Sequence, residues 1–406
     1  MPENQRPRLL FYTDCSFFAG CENMLAVLLN GGPVRETYET LLVYRAGRRY
    51  EEEAGRRLDG AVPRAPALVF SAEDLPLQGL LRPLGLVTLL KYFFALLALP
   101  VLFFKFRAFR PEVVHINDGG YPGAYSCLPA VFAARWAGAK AVVFVVNNLA
   151  VPYDRLSRRL ERPLDRAVAR RVSVFVTGSA YAGGILRETL ALSPEKTRAL
   201  PNGIPARPLK EAPAAVREKL GVPPGAVLVG NVALLDPRKG HRFLLEALAL
   251  ARKTCAVPLY LVVEGTGPER AALEALAGEL GLGGAVKFAG RWDGIFDLMN
   301  AFDVFALSST GMEDFPNVVL EAMSLGKPVI GTRVAGVPEQ VEDGATGLLV
   351  PPGDAPALAA AIASLAADPA KRAAMGAAGK ARFDSEFACG KATARYADLY
   401  RGLLGA

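Results

Sequence analysis

The chain has little histidine, only His115 and His241 in 406 residues. Imidazole acid–base chemistry therefore has few carriers. Its five cysteines, Cys15, Cys21, Cys127, Cys255 and Cys389, are scattered and odd in number, and no two stand at metal-ligand spacing. That fits a reducing compartment better than a disulfide framework. The opening MPENQRPRLLFYTD lacks the apolar core of a signal peptide and runs straight into a strand-like segment, so a cytoplasmic location is expected. Zinc-finger spacing and the aromatic signature of RNA-binding modules are both missing. The net charge of +7 is accordingly read as attraction to an anionic membrane or an anionic substrate, not to nucleic acid. No internal repeat or low-complexity tract stands out beyond alanine richness at 356–381.

What the chain does have is apolar surface. Half of it is hydrophobic and 21% is charged, a balance that describes a globular protein, and its length suits two domains. One run is extreme. Leu84 to Phe104 reads LGLVTLLKYFFALLALPVLFF, with Lys91 its only charge. Length alone would let it span a bilayer. Pro100 and the basic exit through Lys105 and Arg107 suit a helix lying in the membrane interface instead, and a buried helix with a greasy face is the third reading. Further on, Arg155, Arg158, Arg159, Arg162, Arg166 and Arg170 recur at steps of three and four, beside Leu156, Leu160, Leu164 and Val168. That pattern predicts an amphipathic helix with a cationic face, started or kinked at Pro163. Such a face is solvated or meets anionic lipid, so segments 84–107 and 155–171 are the expected membrane contacts.

Apolar strands alternate with helical segments along the chain. LLFYT, VVHIN, AVVFVV and VSVFVTGS are apolar throughout, as parallel strands covered on both faces are. Near residue 200 the run ALPNGIPARPLKEAP, rich in proline with an Asn-Gly, reads as a hinge. A second series follows: VLVGNVALL, PLYLVVEG, AVKFAG, DVFALSS, PVIGT and TGLLV. The expected architecture is α/β, with two doubly wound domains at 1–200 and 201–385, a cleft between them, and a C-terminal helix at 386–406 packing back toward the first.

Ligands of such sheets bind beyond the carboxyl ends of the strands. After GNVALL comes DPRKGH, which sets Arg238 and Lys239 beside a helix start, either an anion site or an ordinary basic turn. After LVVEG, Gly265 and Gly267 permit close backbone approach but lack the third glycine of a dinucleotide fingerprint, which disfavours a nicotinamide dehydrogenase. After DVFALSS the chain reads STGMEDFPNVVLEAM, with Glu313 and Glu321 eight positions apart. Pro316 suits a first helical turn, leaving amides near Asn317 and Val318 to receive a diphosphate with help from the helix dipole. The flanking carboxylates can accept hydrogen bonds from sugar hydroxyls, or they simply favour the helix N-terminus. In the first half, His115 faces inward from an apolar strand, which suits a core histidine as well as a cleft residue. Asp118 at the strand end touches substrate or caps a turn.

GNVALLDPRKGH, VEGTGPER, FAGRWD, the Glu-x7-Glu stretch, GKPVIGTRVAGVPE and DGATGLLVPPGD, in that order, resemble the C-terminal domain of the retaining glycosyltransferases of family 4, which have the GT-B fold. PNGI at Pro201 resembles the start of that domain. FFAGCENML and PEVVHINDGGYPGA match the N-terminal half less tightly. The resemblance implies a nucleotide-diphosphate sugar as donor and a glycan or lipid-linked acceptor, with no cofactor and no metal. It implies that Arg238 and Lys239 hold the diphosphate with Gly265, Gly267, Phe315, Pro316, Asn317 and Val318. Glu313 would contact the donor sugar and Glu321 the ribose. Gly20, His115 and Asn148 would lie on the acceptor side, and Glu313, Asp118 and Asn117 near the chemistry. This chain departs from the pattern at Leu234, where an arginine is common, and at Asn117 and Asn148, where histidines are. A sugar-nucleotide 2-epimerase of the same architecture and a catalytically weak nucleotide-sugar-binding protein are the alternatives.

Overall fold

A computed structural model of the chain describes residues 6–18, 20–71 and 86–405. The chain divides into two compact units, Met1–Gly203 with Cys389–Ala406, and Ile204–Ala388. Each is a Rossmann-like parallel α/β domain.

Among the described residues, unit 1 carries strands β1 (Arg8–Thr13), β2 (Glu39–Arg45), β3 (Arg64–Ala67), β4 (Val113–Asp118), β5 (Ala141–Val146), β6 (Val174–Thr177) and β7 (Thr197–Ala199). They form one parallel sheet in the order β3-β2-β1-β4-β5-β6-β7. Successive side chains on a strand point to opposite faces, and both faces here are apolar. Leu9 and Phe11 pack with Leu25, Leu29, Tyr396 and Tyr400 under the helices Gly20–Asn30 and Cys389–Leu404. Leu10 and Tyr12 pack the other way, with Ala98, Leu102, Phe106, Ala133 and Val168 from the helices Leu86–Phe109, Cys127–Trp136 and Arg162–Arg171. Three strands escape the sequence reading. Of these, β3 is an edge strand, RAPA, that tolerates Pro66 because an edge leaves one row of backbone donors unused. At the opposite edge, β7 is only three residues long.

The apolar run read from residue 84 begins outside the described residues; from 86 onward it is a single helix. Among the described residues, one helix is long and apolar enough to cross a bilayer, Leu90–Phe109, yet 17% of its most apolar window is buried. Ala98, Leu102 and Phe106 fix one side of it to the sheet, while Phe93, Leu96, Leu97 and Phe104 are exposed on the other. Spanning would require peeling the first side off its core, which counts against the spanning reading. The arginine segment is two helices, Leu156–Leu160 and Arg162–Arg171, with Pro163 in the first turn of the second. Its arginines do not all face outward. Arg158 turns into the protein and donates to Glu161 Oε2 at 2.7 Å and Asp165 Oδ2 at 2.6 Å.

Unit 2 carries β8 (Val227–Val232), β9 (Leu259–Glu264), β10 (Val286–Gly290), β11 (Val304–Leu307), β12 (Val329–Thr332) and β13 (Gly347–Val350), all parallel, in the order β10-β9-β8-β11-β12-β13. In each sheet the strand order reverses once, beside β1 and β4 in unit 1 and beside β8 and β11 in unit 2. Sheets of this kind bind ligands beyond the carboxyl ends of the strands at such a reversal.

Candidate functional site

In unit 2 the loops after β8 and β11 meet at that reversal. Asp236 accepts from the Arg238 amide at 3.0 Å and caps a single turn, Pro237–Lys239. Thr310 and Ser308 of the second loop bond back to the first, Thr310 N to Arg238 O at 2.8 Å and Ser308 Oγ to Lys239 O at 2.9 Å. Gly240, at φ +64°, lies so close that an added Cβ would stand 2.1 Å from Ser308 O, so only glycine fits. This stitching turns the Lys239 ammonium onto the buried Glu313 carboxylate. Ser309 Oγ donates to the same carboxylate at 2.7 Å, and the Thr332 hydroxyl holds Ser309 O at 2.6 Å. The Arg238 guanidinium donates to Met312 O at 3.0 Å. Three residues singled out from sequence, Arg238, Lys239 and Glu313, are thus one cluster. Ser309 and Thr332, which support it, carry no signal in sequence beyond lying at or just after a strand end.

Gly265 and Gly267 serve close approach of backbone to backbone. A Cβ on Gly265 would meet Ala233 O at 1.9 Å, and one on Gly267 would meet Leu235 O at 2.3 Å. They press the loop after β9 against the loop after β8. Pro316 is the N-cap rather than the first turn, and the helix runs Asn317–Ser324, with Asn317 and Val318 opening it. Phe315 is a correction: its ring is buried edge-on against Phe387 at 5.7 Å, so a packed core ring stands where a ligand contact was expected. Burial pushes the Glu321 carboxyl up; the nearby Arg207 cation opposes that shift and Glu264 adds to it. Neither Arg207 nor Glu264 was picked out from sequence. Leu234 is 59% exposed in the loop after β8.

In unit 1 the loops after β1 and β4 enclose a cavity of 180 Å³ bordered by Asp14, Arg45, Lys91, Phe94, Gly123 and Ser126. Arg45 reaches Asp14 Oδ1 at 3.3 Å, and Ser126 donates to the other Asp14 oxygen. Asp118 lies just below. Its Oδ1 accepts from the Ala124 amide at 2.9 Å, while its Oδ2 is buried with no hydrogen-bond partner. Burial raises its pKa well above the usual carboxylate value despite that amide, and Asp14 pushes the same way. Gly123, at φ +58°, leaves room for Asp118, since a Cβ there would stand 2.1 Å from Oδ1.

Asn117 sits deeper. It donates to Glu22 Oε1 at 2.8 Å and accepts from Asn147 Nδ2 at 2.9 Å. Glu22, missed in the sequence, is wholly buried and also takes bonds from Thr13 and Tyr50. The asparagine thus fills a buried polar network where the family often has histidine, and only 2% of it is exposed. His115 is a correction. It is 1% exposed, ringed by Phe11, Tyr396 and Tyr400, with Nδ1 2.7 Å from the Tyr400 hydroxyl. Burial depresses its pKa to about 3. It is a neutral core histidine, away from the loops at the strand ends. Gly20 is exposed at the start of its helix, and the Asn148 side chain accepts from the Leu149 amide at 2.8 Å. Cys15 and Cys21 meet at 3.7 Å between sulfurs, close to Glu22.

Two parallel Rossmann-like units, with polar clusters where each strand order reverses, define the GT-B class of fold. Residues 34–203 match the family described as glycosyl transferase 4-like domain, and residues 214–382 match glycosyl transferases group 1. The chain belongs to the family 4 type of glycosyltransferases. Among its relatives is a lipopolysaccharide core biosynthesis glycosyltransferase, LpsE, of Rhizobium meliloti, 40% identical over 156 residues, which are 38% of this chain and 44% of that one. Another is a GDP-mannose-dependent monoacylated α-(1-6)-phosphatidylinositol monomannoside mannosyltransferase of Corynebacterium glutamicum, 31% identical, covering 63% of this chain and 68% of that one. The chain spans about half the length of the first curated relatives it matches. Among solved structures, Anabaena Alr3699/HepE in complex with UDP superposes with a TM-score of 0.79 at 22% identity, over 97% of this chain and all of that one.

Proposed function

We propose that the protein moves a sugar from a nucleotide-diphosphate sugar to a lipid-linked or other envelope or exopolysaccharide glycan, with retention of the anomeric configuration and without a metal. The observation that carries this is the Lys239–Glu313 contact beside Arg238, at the reversal point of the unit 2 sheet. The bond from the anomeric carbon to the diphosphate oxygen breaks, and one to the acceptor oxygen forms on the same face. The acceptor's proton leaves with the departing diphosphate. Arg238, Lys239 and the amides opening the helix Asn317–Ser324 stabilise charge on that diphosphate. Glu313, fixed by Ser309, presents its remaining lone pairs to sugar hydroxyls, and Glu321 takes the ribose. The unit 1 cavity, with Asp118 beneath it, is the acceptor side. The names of the relatives, one acting in lipopolysaccharide core assembly and one on a phosphatidylinositol mannoside, support an envelope acceptor and a place on the inner face of the cytoplasmic membrane. The epimerase reading is weaker, because both histidines are buried.

Thermal unfolding with UDP, GDP, ADP and CDP tests the donor pocket. A ligand at 100 times its dissociation constant adds about 2.7 kcal/mol. One nucleoside diphosphate stabilises the protein and Glu321→Ala removes the effect. If none does, the pocket assignment is wrong. With the matching labelled donor, product of unchanged anomeric configuration forms in the presence of EDTA. Inverted product, or a requirement for metal, refutes the mechanism.

A further inference from the structure

Three helices lie side by side on one face of the unit 1 sheet: Leu86–Phe109, then Cys127–Trp136, then Arg162–Arg171. A helix covering a sheet ordinarily turns polar residues outward. The first of these does the reverse. Phe93, Leu96, Leu97, Pro100 and Phe104 recur at three- and four-residue steps and form its exposed stripe. Trp136, 58% exposed, closes a shallow groove with Leu99, Pro100, Phe103 and Phe104. Patches of this kind are uncommon on proteins that meet only water.

The exposed charge on the neighbouring segment 155–171 is positive. Arg155, Arg159, Arg162, Arg166 and Arg170 are exposed, and Leu156 and Leu160 stand 73% exposed among them. The only acids in the segment 155–171 are Glu161 and Asp165, and both are buried around Arg158. The helices 86–109 and 127–136 contain no acid at all. Arginines and stripe are tied together at both ends. Tyr92 donates to Glu161 at one end. At the other, the Arg171 guanidinium lies 4.7 Å over the Phe132 ring, which meets Trp136 edge-on at 6.2 Å.

We infer that this face of unit 1 is a docking surface for an anionic bilayer, with the helix Leu86–Phe109 lying in the plane of the interface. Apolar side chains enter the acyl boundary, Trp136 sits at headgroup depth, and the arginines meet lipid phosphates. A second copy of this chain would bring the same positive face against itself, so charge selects lipid over self-association. The inference stands apart from the transfer reading, since it needs no donor pocket.

The full chain is floated with vesicles of phosphatidylcholine alone and of phosphatidylcholine mixed with phosphatidylglycerol. It binds the mixed vesicles and leaves them as salt rises. Arg162→Gln, Arg166→Gln and Arg170→Gln together lower partitioning by roughly 100-fold at low salt, at about tenfold or less per charge. Leu96→Glu with Phe104→Glu abolishes binding even at low salt. Both sets lie on the surface, and an unchanged melting temperature shows that the variants fold. In Trp292→Phe, which leaves Trp136 as the chain's single tryptophan, emission shifts to the blue on the mixed vesicles and shallowly brominated lipids quench it best. Equal binding to neutral vesicles, unchanged binding of the Leu96/Phe104 variant, quenching strongest at the bilayer centre, or a dimer in solution that hides Trp136 from lipid would each overturn the proposal.

Discussion

His115 provides a measurement of how far the unit 1 core excludes water. In the folded chain its pKa lies near 3, pushed down by burial. In the unfolded chain an imidazole titrates near 6.5. Because the folded value is depressed, the unfolded state binds the extra proton between those limits, and stability falls as pH drops through 6.5. Each pH unit below 6.5 costs about 1.4 kcal/mol, so lowering pH from 7 to 5 removes about 2 kcal/mol from unit 1. For a unit of this size that is a drop of roughly 4–8 °C in melting temperature. Glu22 and Asp118 are buried carboxyls with raised values and act in the opposite sense, so the wild-type slope alone is not diagnostic. The difference from His115→Gln is, because glutamine does not titrate and those carboxyls remain. Melting of wild type and His115→Gln at pH 7 and pH 5, followed by near-ultraviolet circular dichroism, should show the wild type losing those extra degrees. Parallel losses in the two proteins would mean that His115 is hydrated in the fold and that its packing against Tyr400 is misread. The KM for acceptor should be unchanged in His115→Gln, since the side chain faces the core.

Two further outcomes follow from the unit 2 cluster. Lys239→Ala strands the buried Glu313 carboxylate with Ser309 as its remaining named partner, and urea unfolding should register a loss of about 3 kcal/mol; Lys239→Met with Glu313→Gln should lose less than the single change. Glu321 has its carboxyl value raised in the fold, so the folded state holds a proton that the unfolded state has released, and wild-type stability declines as pH rises above the ordinary carboxyl value of 4.5; Glu321→Gln should lack the decline and gain on the wild type as pH is raised from there, read as melting temperature.

Much of this was legible in the chain. All six strands of unit 2 stand out as apolar runs. Arg238, Lys239, Glu313 and Glu321 were visible because strand ends in such sheets carry ligands. What stayed hidden depended on partners remote in sequence. Phe315 looks like a pocket residue until Phe387 covers it. Glu22 looks like a helix-surface glutamate until Thr13, Tyr50 and Asn117 close around it. Arg158 keeps time with the exposed arginines, and only the fold shows Glu161 and Asp165 drawing it inward. The edge strand β3 contains a proline that argues against a strand wherever the neighbours are unknown.

The helix Cys389–Leu404 belongs to unit 1, although the whole of unit 2 precedes it in the chain. Its Tyr396 and Tyr400 complete the core over Leu9, Phe11 and His115, and Thr393 fits against Gly31. The consequence is one of timing. Unit 2 is contiguous and can close as soon as it leaves the ribosome, whereas unit 1 must wait with part of one face of its sheet, the part beside the helix Gly20–Asn30, uncovered until the helix Cys389–Leu404 is made. The domain begun first is finished last, and it is the N-terminal half that a nascent-chain chaperone would have to shield.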